Sequence, residues 1–127
     1  VSAQEQELVR VLVVDDSEVF RNVLCAVVAA APGFQVVGVA ATGREALDLV
    51  GLLDAQFVLI DVNTRELDGV ETGLRIRKRH PGVVVLLLTA TSRASVRDAS
   101  LAVEDKRDLS PGWLVDFWRR NGNGTSR

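Results

Sequence analysis

Short uninterrupted apolar runs alternate along this chain with stretches whose apolar residues recur every three or four positions. The runs are "RVLVV" (10–14), "FQVVGVA" (34–40), "FVLI" (57–60), "VVVLLL" (83–88) and, more weakly, "LAVED" (101–105). Continuous β-branched runs of this length predict strands covered on both faces, as in a parallel sheet. Between them, Val19, Phe20, Val23, Leu24, Val27 and Val28 mark a helix with one broad apolar face. It is capped by Asp16 or Ser17 and stopped by Pro32-Gly33. A second helix is expected over 42–53, with Ala46, Leu49, Val50 and Leu53 inward, and a third over 69–80, closed by Pro81-Gly82. "RASVRDAS" (93–100) reads as a short fourth helix. Ser110 and Pro111 open a last helix as cap and first position, ahead of a fraying "NGNGTSR".

Strand and helix thus alternate five times, which defines an α/β domain with a doubly wound, five-stranded parallel sheet. The 127 residues suit one domain, with a core from about 9 to 121 and a frayed tail over 122–127. Hydrophobic residues make up 47%, enough for a full core without disulfides. Cys25 is the only cysteine; it lies in an apolar helical stretch and is expected to pack rather than react. A single cysteine also fits a reducing cytosol.

The net charge of −2 gives no general grip on nucleic acid or an anionic membrane. No apolar run approaches the length of a membrane span, and the polar "VSAQEQE" start carries no signal-peptide pattern. The absence of an initiator methionine leads us to expect a chain trimmed at its ends. The basic "RIRKRH" (75–80) falls at a helix C-terminus, where cations favour the dipole, and reads as a solvated helix end. His80, the only histidine, cannot build a metal site by itself.

Ligands of doubly wound sheets sit outside the carboxyl ends of the strands. Five polar residues leave those ends: Asp15 and Asp16 after the first strand, Asp61 after the third, Thr89 after the fourth and Lys106 after the fifth. Three gathered carboxylates repel one another unless a cation stands among them. Oxygen donors without histidine or cysteine select a hard ion, Mg²⁺ first. A lysine and a hydroxyl beside such an ion are the remaining parts needed to handle a phosphoryl group, with Asp61 as its nucleophile.

The ordered set "VVDDS", "LIDVNTRELDGVE", "LLLTA" and "EDK" resembles the receiver domain of bacterial two-component response regulators, over nearly the whole chain from about Arg10. The resemblance implies a flavodoxin-like, CheY-like fold and a phosphorelay function in the cytoplasm. It makes Asp61 the phosphoacceptor, which receives its phosphoryl group from a sensor histidine kinase. It makes Asp15 and Asp16 the acidic pair, with Asp16 the direct Mg²⁺ ligand, and has Asn63 lend its backbone carbonyl to the metal. Thr89 becomes the hydroxyl that follows the phosphoryl group, Ala90 the small residue beside it, and Lys106 the phosphoryl-pairing lysine. Asp68-Gly69 matches the turn before the third helix. The nearest variety of receiver is the one attached to DNA-binding modules, so the chain is expected either to stand alone or to be separated from a transcriptional output domain.

The departures cluster on one half. Arg65 stands where the family has proline, so the loop "NTREL" is expected to be less restrained. Thr89 to Lys106 is short by about one helical turn, which implies a truncated or irregular fourth helix. Val103 replaces an aromatic switch, and Ala99-Ser100 a Gly-Ala pair. Trp113, Phe117 and Trp118 on the last helix are expected to leave one ring exposed. That ring would serve dimerisation or docking through the face made by the fourth helix, the fifth strand and the last helix. Two other classes compete. One is a phosphatase with an aspartate nucleophile, which "LIDVNT" resembles with Asn63 in place of its general acid. The other is a pseudo-receiver that binds partners without being phosphorylated.

Overall fold

The computed structural model describes residues 8–91, 96 and 100–122. Five strands form one parallel sheet: β1 (Val9–Val14), β2 (Phe34–Ala40), β3 (Phe57–Asp61), β4 (Val84–Thr89) and β5 (Ala102–Asp105), in the order β2-β1-β3-β4-β5. The helices are α1 (Glu18–Ala30), α2 (Gly43–Leu52), α3 (Gly69–Arg79) and α4 (Pro111–Asn121). Each is opened by a capping side chain: Ser17, Thr42, Asp68 and Ser110 accept from the backbone N–H three residues on. The expected elements are thus present, with Asp61 and Thr89 themselves the last residues of their strands. The proposed helix over 93–100 lies outside the described residues, apart from Val96 and Ser100. Residues 123–127, where the sequence leads us to expect a frayed tail, lie outside them as well.

Alternation within each strand divides the core between the two faces of the sheet. Val11, Val13, Phe57, Leu59, Leu86 and Leu88 meet Leu24 and Val28 of α1 and Leu114 and Phe117 of α4. Leu12, Val14, Val58, Ile60, Val85 and Leu87 meet Ala46 and Val50 of α2 and Ile76 of α3. That covering on both faces is why the strands read as unbroken apolar runs. Cys25 is half-buried against the first of these cores, and burial pushes its thiol pKa up. Among the described residues, no helix is long and apolar enough to cross a membrane.

Two expectations about apolar faces need correction. In α1 only Leu24 and Val28 are buried; Val19, Phe20 and Val23 remain 70%, 42% and 51% exposed. The stripe is wider than the strip of sheet it covers, because α1 packs near the β2 edge. In α4 no ring is left over. Phe117 stacks on Phe57 at 5.7 Å and on Trp113 at 5.1 Å, and Trp118 packs against Phe57 and edge-on against Phe34. Phe117 and Trp118 find partners because β2 and β3 each begin with a phenylalanine, and Trp113 stacks on Phe117 one turn along its own helix.

Candidate functional site

Parallel strands in register deliver their last residues to one edge. Asp15 follows β1, and its amide N–H donates to the carbonyl of Ala40 at the end of β2. Asp61 ends β3 beside Leu88, and Lys106 follows β5. Oxygens of Asp15, Asp16 and Asp61 all come within 4.8 Å of one another. Asp15 is 1% exposed and Asp61 5%, so neither carboxylate is stabilised by bulk water.

Their charge is met by Lys106. Its Nζ donates to Asp15 Oδ2 at 2.7 Å and sits 3.1 Å from Asp61 Oδ1. The ammonium also lies 4.0 Å from the centroid of the Phe20 ring, which covers it on the solvent side. The second oxygen of each carboxylate is held by backbone: Ser17 N–H donates to Asp15 Oδ1 at 2.9 Å and Asn63 N–H to Asp61 Oδ2 at 3.2 Å. Burial raises the pKa of Asp61, with Lys106 opposing the rise. Burial alone would lower that of Lys106, but the bonds to Asp15 and Asp61 hold it above the ordinary lysine value. Lys106 is therefore an ammonium throughout the neutral range.

Asp16 sits at the outer side of the cluster, and its Oδ2 accepts from Arg65 Nε at 3.1 Å. Arg65 belongs to the loop that was expected to be slack for want of a proline. The loop is tied by other means. Thr64 is buried, and its hydroxyl donates to the Asp61 carbonyl at 2.5 Å. The Arg65 carbonyl accepts from Gly43 N–H at 3.1 Å, and Gly69 N–H donates to the Val62 carbonyl at 3.0 Å. Glu66 turns the chain with a φ of +68°.

Gly69 closes the loop against the end of β3. A Cβ there would stand 2.4 Å from the Asp61 carbonyl oxygen and 2.7 Å from Val62 Cα, both backbone atoms. Gly69→Ala is expected to destabilise by about 2 kcal/mol, through displaced backbone rather than lost contacts. Urea unfolding checks this, and a cost below half that value contradicts the close approach.

Thr89 is fully buried at the end of β4, and its hydroxyl is engaged by Thr91. It lies 3.0 Å from the Thr91 hydroxyl and accepts from the Thr91 amide at 3.1 Å. The structure therefore brings Asp15, Asp16, Asp61 and Lys106 into one cluster, while Thr89 ends the neighbouring strand β4 with its hydroxyl bonded to Thr91. Asn63 is exposed and touches the cluster through its N–H. Val103 packs half-buried against the α2–α3 side of the core, as an aliphatic residue should. Sequence reasoning missed Phe20 as a cover for Lys106, Arg65 as the partner of Asp16, Thr64 as a loop anchor and Thr91 as the partner of Thr89. Arg65 and Asp16 are 49 residues apart, and no local pattern joins them.

A lysine-bridged acid cluster at the carboxyl edge of a five-stranded parallel sheet lies where ligands of doubly wound α/β folds sit. Residues 11–107 match the response regulator receiver domain, and the chain belongs to that family. It is 41% identical over 98 residues to a protein-glutamate methylesterase/protein-glutamine glutaminase of Anaeromyxobacter dehalogenans, covering 76% of this chain and 29% of that protein. The chain thus spans less than a third of the length of the curated relatives it matches. Among solved structures, it is similar to the receiver domain of the putative response regulator NarL from Mycobacterium tuberculosis. That match has a TM-score of 0.80 and 28% identity, over 93% of this chain and 98% of the other. The response regulator domain of Thermotoga maritima CheB matches with a TM-score of 0.75 and 25% identity, over 91% and 97%.

Proposed function

We propose that this domain accepts a phosphoryl group on Asp61 from the phosphohistidine of a sensor kinase, with Mg²⁺ held by Asp15, Asp16, Asp61 and the Asn63 carbonyl. The observation that carries this reading is the single ammonium of Lys106 bridging Asp15 and Asp61, with Asp16 alongside. The donor set is all oxygen and anionic, which fits a small hard dication. Held there, Mg²⁺ would supply positive charge that offsets the negative charge of the phosphoryl group. The rest of the chemistry belongs to the chain. An oxygen of Asp61 attacks phosphorus in line; the new O–P bond forms as the N–P bond of the donor imidazole breaks, and the imidazole leaves after taking up a proton. Lys106 turns from Asp61 towards a phosphoryl oxygen while keeping Asp15 as its anchor. Thr89 exchanges its Thr91 partner for a second phosphoryl oxygen. Phe20 places the first turn of α1 at the rim of the cluster, and the exposed Val19 and Val23 continue that rim as the surface the kinase meets.

Incubation with acetyl phosphate and Mg²⁺, read by intact mass, tests the proposal. The wild type is expected to gain one phosphoryl mass, and Asp61→Asn none. No gain in the wild type, or an equal gain in the variant, defeats it. The first of those outcomes would favour a phosphorylation-independent binding module, for which the Arg65 partner already present at Asp16 speaks. Two outputs are proposed: methylesterase control, as the curated relatives' names suggest, and transcription, as the resemblance of the sequence to receivers attached to DNA-binding modules suggests.

A further inference from the structure

We infer that Arg65 is the resident counter-ion of Asp16 and sets how tightly the cluster holds a divalent cation. The inference rests on the metal-binding reading above and concerns a residue that reading leaves unused. The cluster contains three carboxylates, and the ammonium of Lys106 is committed to two of them, Asp15 and Asp61. Asp16 is matched instead by Arg65, whose Nε lies 3.1 Å from Asp16 Oδ2.

The two halves of Arg65 behave differently. Its backbone is fixed: the carbonyl accepts from Gly43 N–H, and the residue bridges to Thr42 across the mouth of the sheet. Its side chain is 78% exposed, against 27% for Asp16. A guanidinium carried on an anchored backbone but immersed in water is easily returned to solvent, because exposed ion pairs are weak.

A dication on Asp16 and a guanidinium on the same carboxylate would repel one another at a few ångströms. Entry of the metal therefore requires Arg65 to swing out, and the lost pair is subtracted from metal affinity. Once displaced, the guanidinium remains tethered at the rim, within reach of anionic oxygens brought there by a donor. Arg65 thus acts on the cation site through Asp16, as a positioning residue.

The test is a Mg²⁺ titration of the phosphoryl-free protein, followed by backbone amide NMR shifts, with no phosphodonor present. Arg65→Gln is expected to tighten Mg²⁺ about five-fold in low-salt buffer, a gain that shrinks as added monovalent salt screens the pair. Arg65→Lys, which keeps the charge, should stay within about two-fold of wild type. Arg75→Gln removes the same charge from a surface pair with Glu71 and controls for net charge; it should leave affinity unchanged. Equal or weaker binding in Arg65→Gln overturns the inference, as does an equal gain in Arg75→Gln. If Mg²⁺ binds none of the proteins, the metal reading falls and takes this inference with it; if it binds all equally, only the inference falls.

Discussion

Phe57→Ala is expected to cost about 4 kcal/mol, the most of any single truncation considered. The ring is fully buried at the start of the central strand β3. It stacks on Phe117, lies 5.3 Å from Trp118 and 6.2 Å from Phe34, and so joins β2, β3 and α4 in one aromatic cluster. Alanine would leave a cavity bounded by three other rings, which the rigid sheet beneath them cannot close. Urea denaturation followed by far-UV circular dichroism should show a lowered midpoint with an unchanged slope. A loss below about 1.5 kcal/mol would mean that the cluster collapses to fill the space.

Lys106→Ala should cost about 3 kcal/mol in metal-free buffer at neutral pH, because it leaves Asp15 and Asp61 buried without their cation. The pH dependence has a definite sign. The folded-state pKa of Lys106 is raised, so its contribution is fully present below the unfolded lysine value and is lost only as pH rises through the higher folded one. The carboxyl of Asp61 is also raised, so the folded state binds its proton more readily than the unfolded chain does. The Asp61 contribution to stability therefore declines as pH rises from the ordinary carboxylate value towards the raised one. Removing Lys106 takes away the main group that opposes this rise, leaving only the Asn63 N–H. The deficit of the variant should thus be smallest in acid, where Asp61 is protonated, and grow towards neutral pH. Unfolding curves at pH 4.5 and 7.5 decide the matter; a deficit independent of pH would mean that the lysine contributes packing alone. Adding Mg²⁺ should narrow the gap at pH 7.5.

The fold was legible because the inner strands β1, β3 and β4 are covered on both faces, and a doubly covered strand reads as an unbroken apolar run. The inner members of the cluster were legible for a related reason. A carboxylate directly after such a run, as at Asp15 and Asp61, has to lie at the carboxyl edge of the sheet. Lys106 followed from the same reasoning despite the acidic Glu104 and Asp105 before it. What escaped was whatever depends on contacts between loops or on how wide a helix's footprint is. The apolar period of α1 is regular from Val19 to Val28, but period does not tell which part of the stripe reaches the sheet; Phe20 and Val23 satisfy it and stay exposed. The slackness expected of "NTREL" considered only the lost proline. Thr64 and Gly43 restrain the loop through hydrogen bonds that no local spacing announces.

Both tryptophans of the chain belong to the cluster around Phe57, four residues upstream of Asp61 and about 13 Å away along the strand. Indole emission in this protein should accordingly follow melting of its hydrophobic half and stay nearly silent when ions or phosphodonors arrive at the acidic rim. A spectroscopist who wants an optical reporter of that rim would have to install one, and exposed Val19 offers a place beside Phe20 to do so.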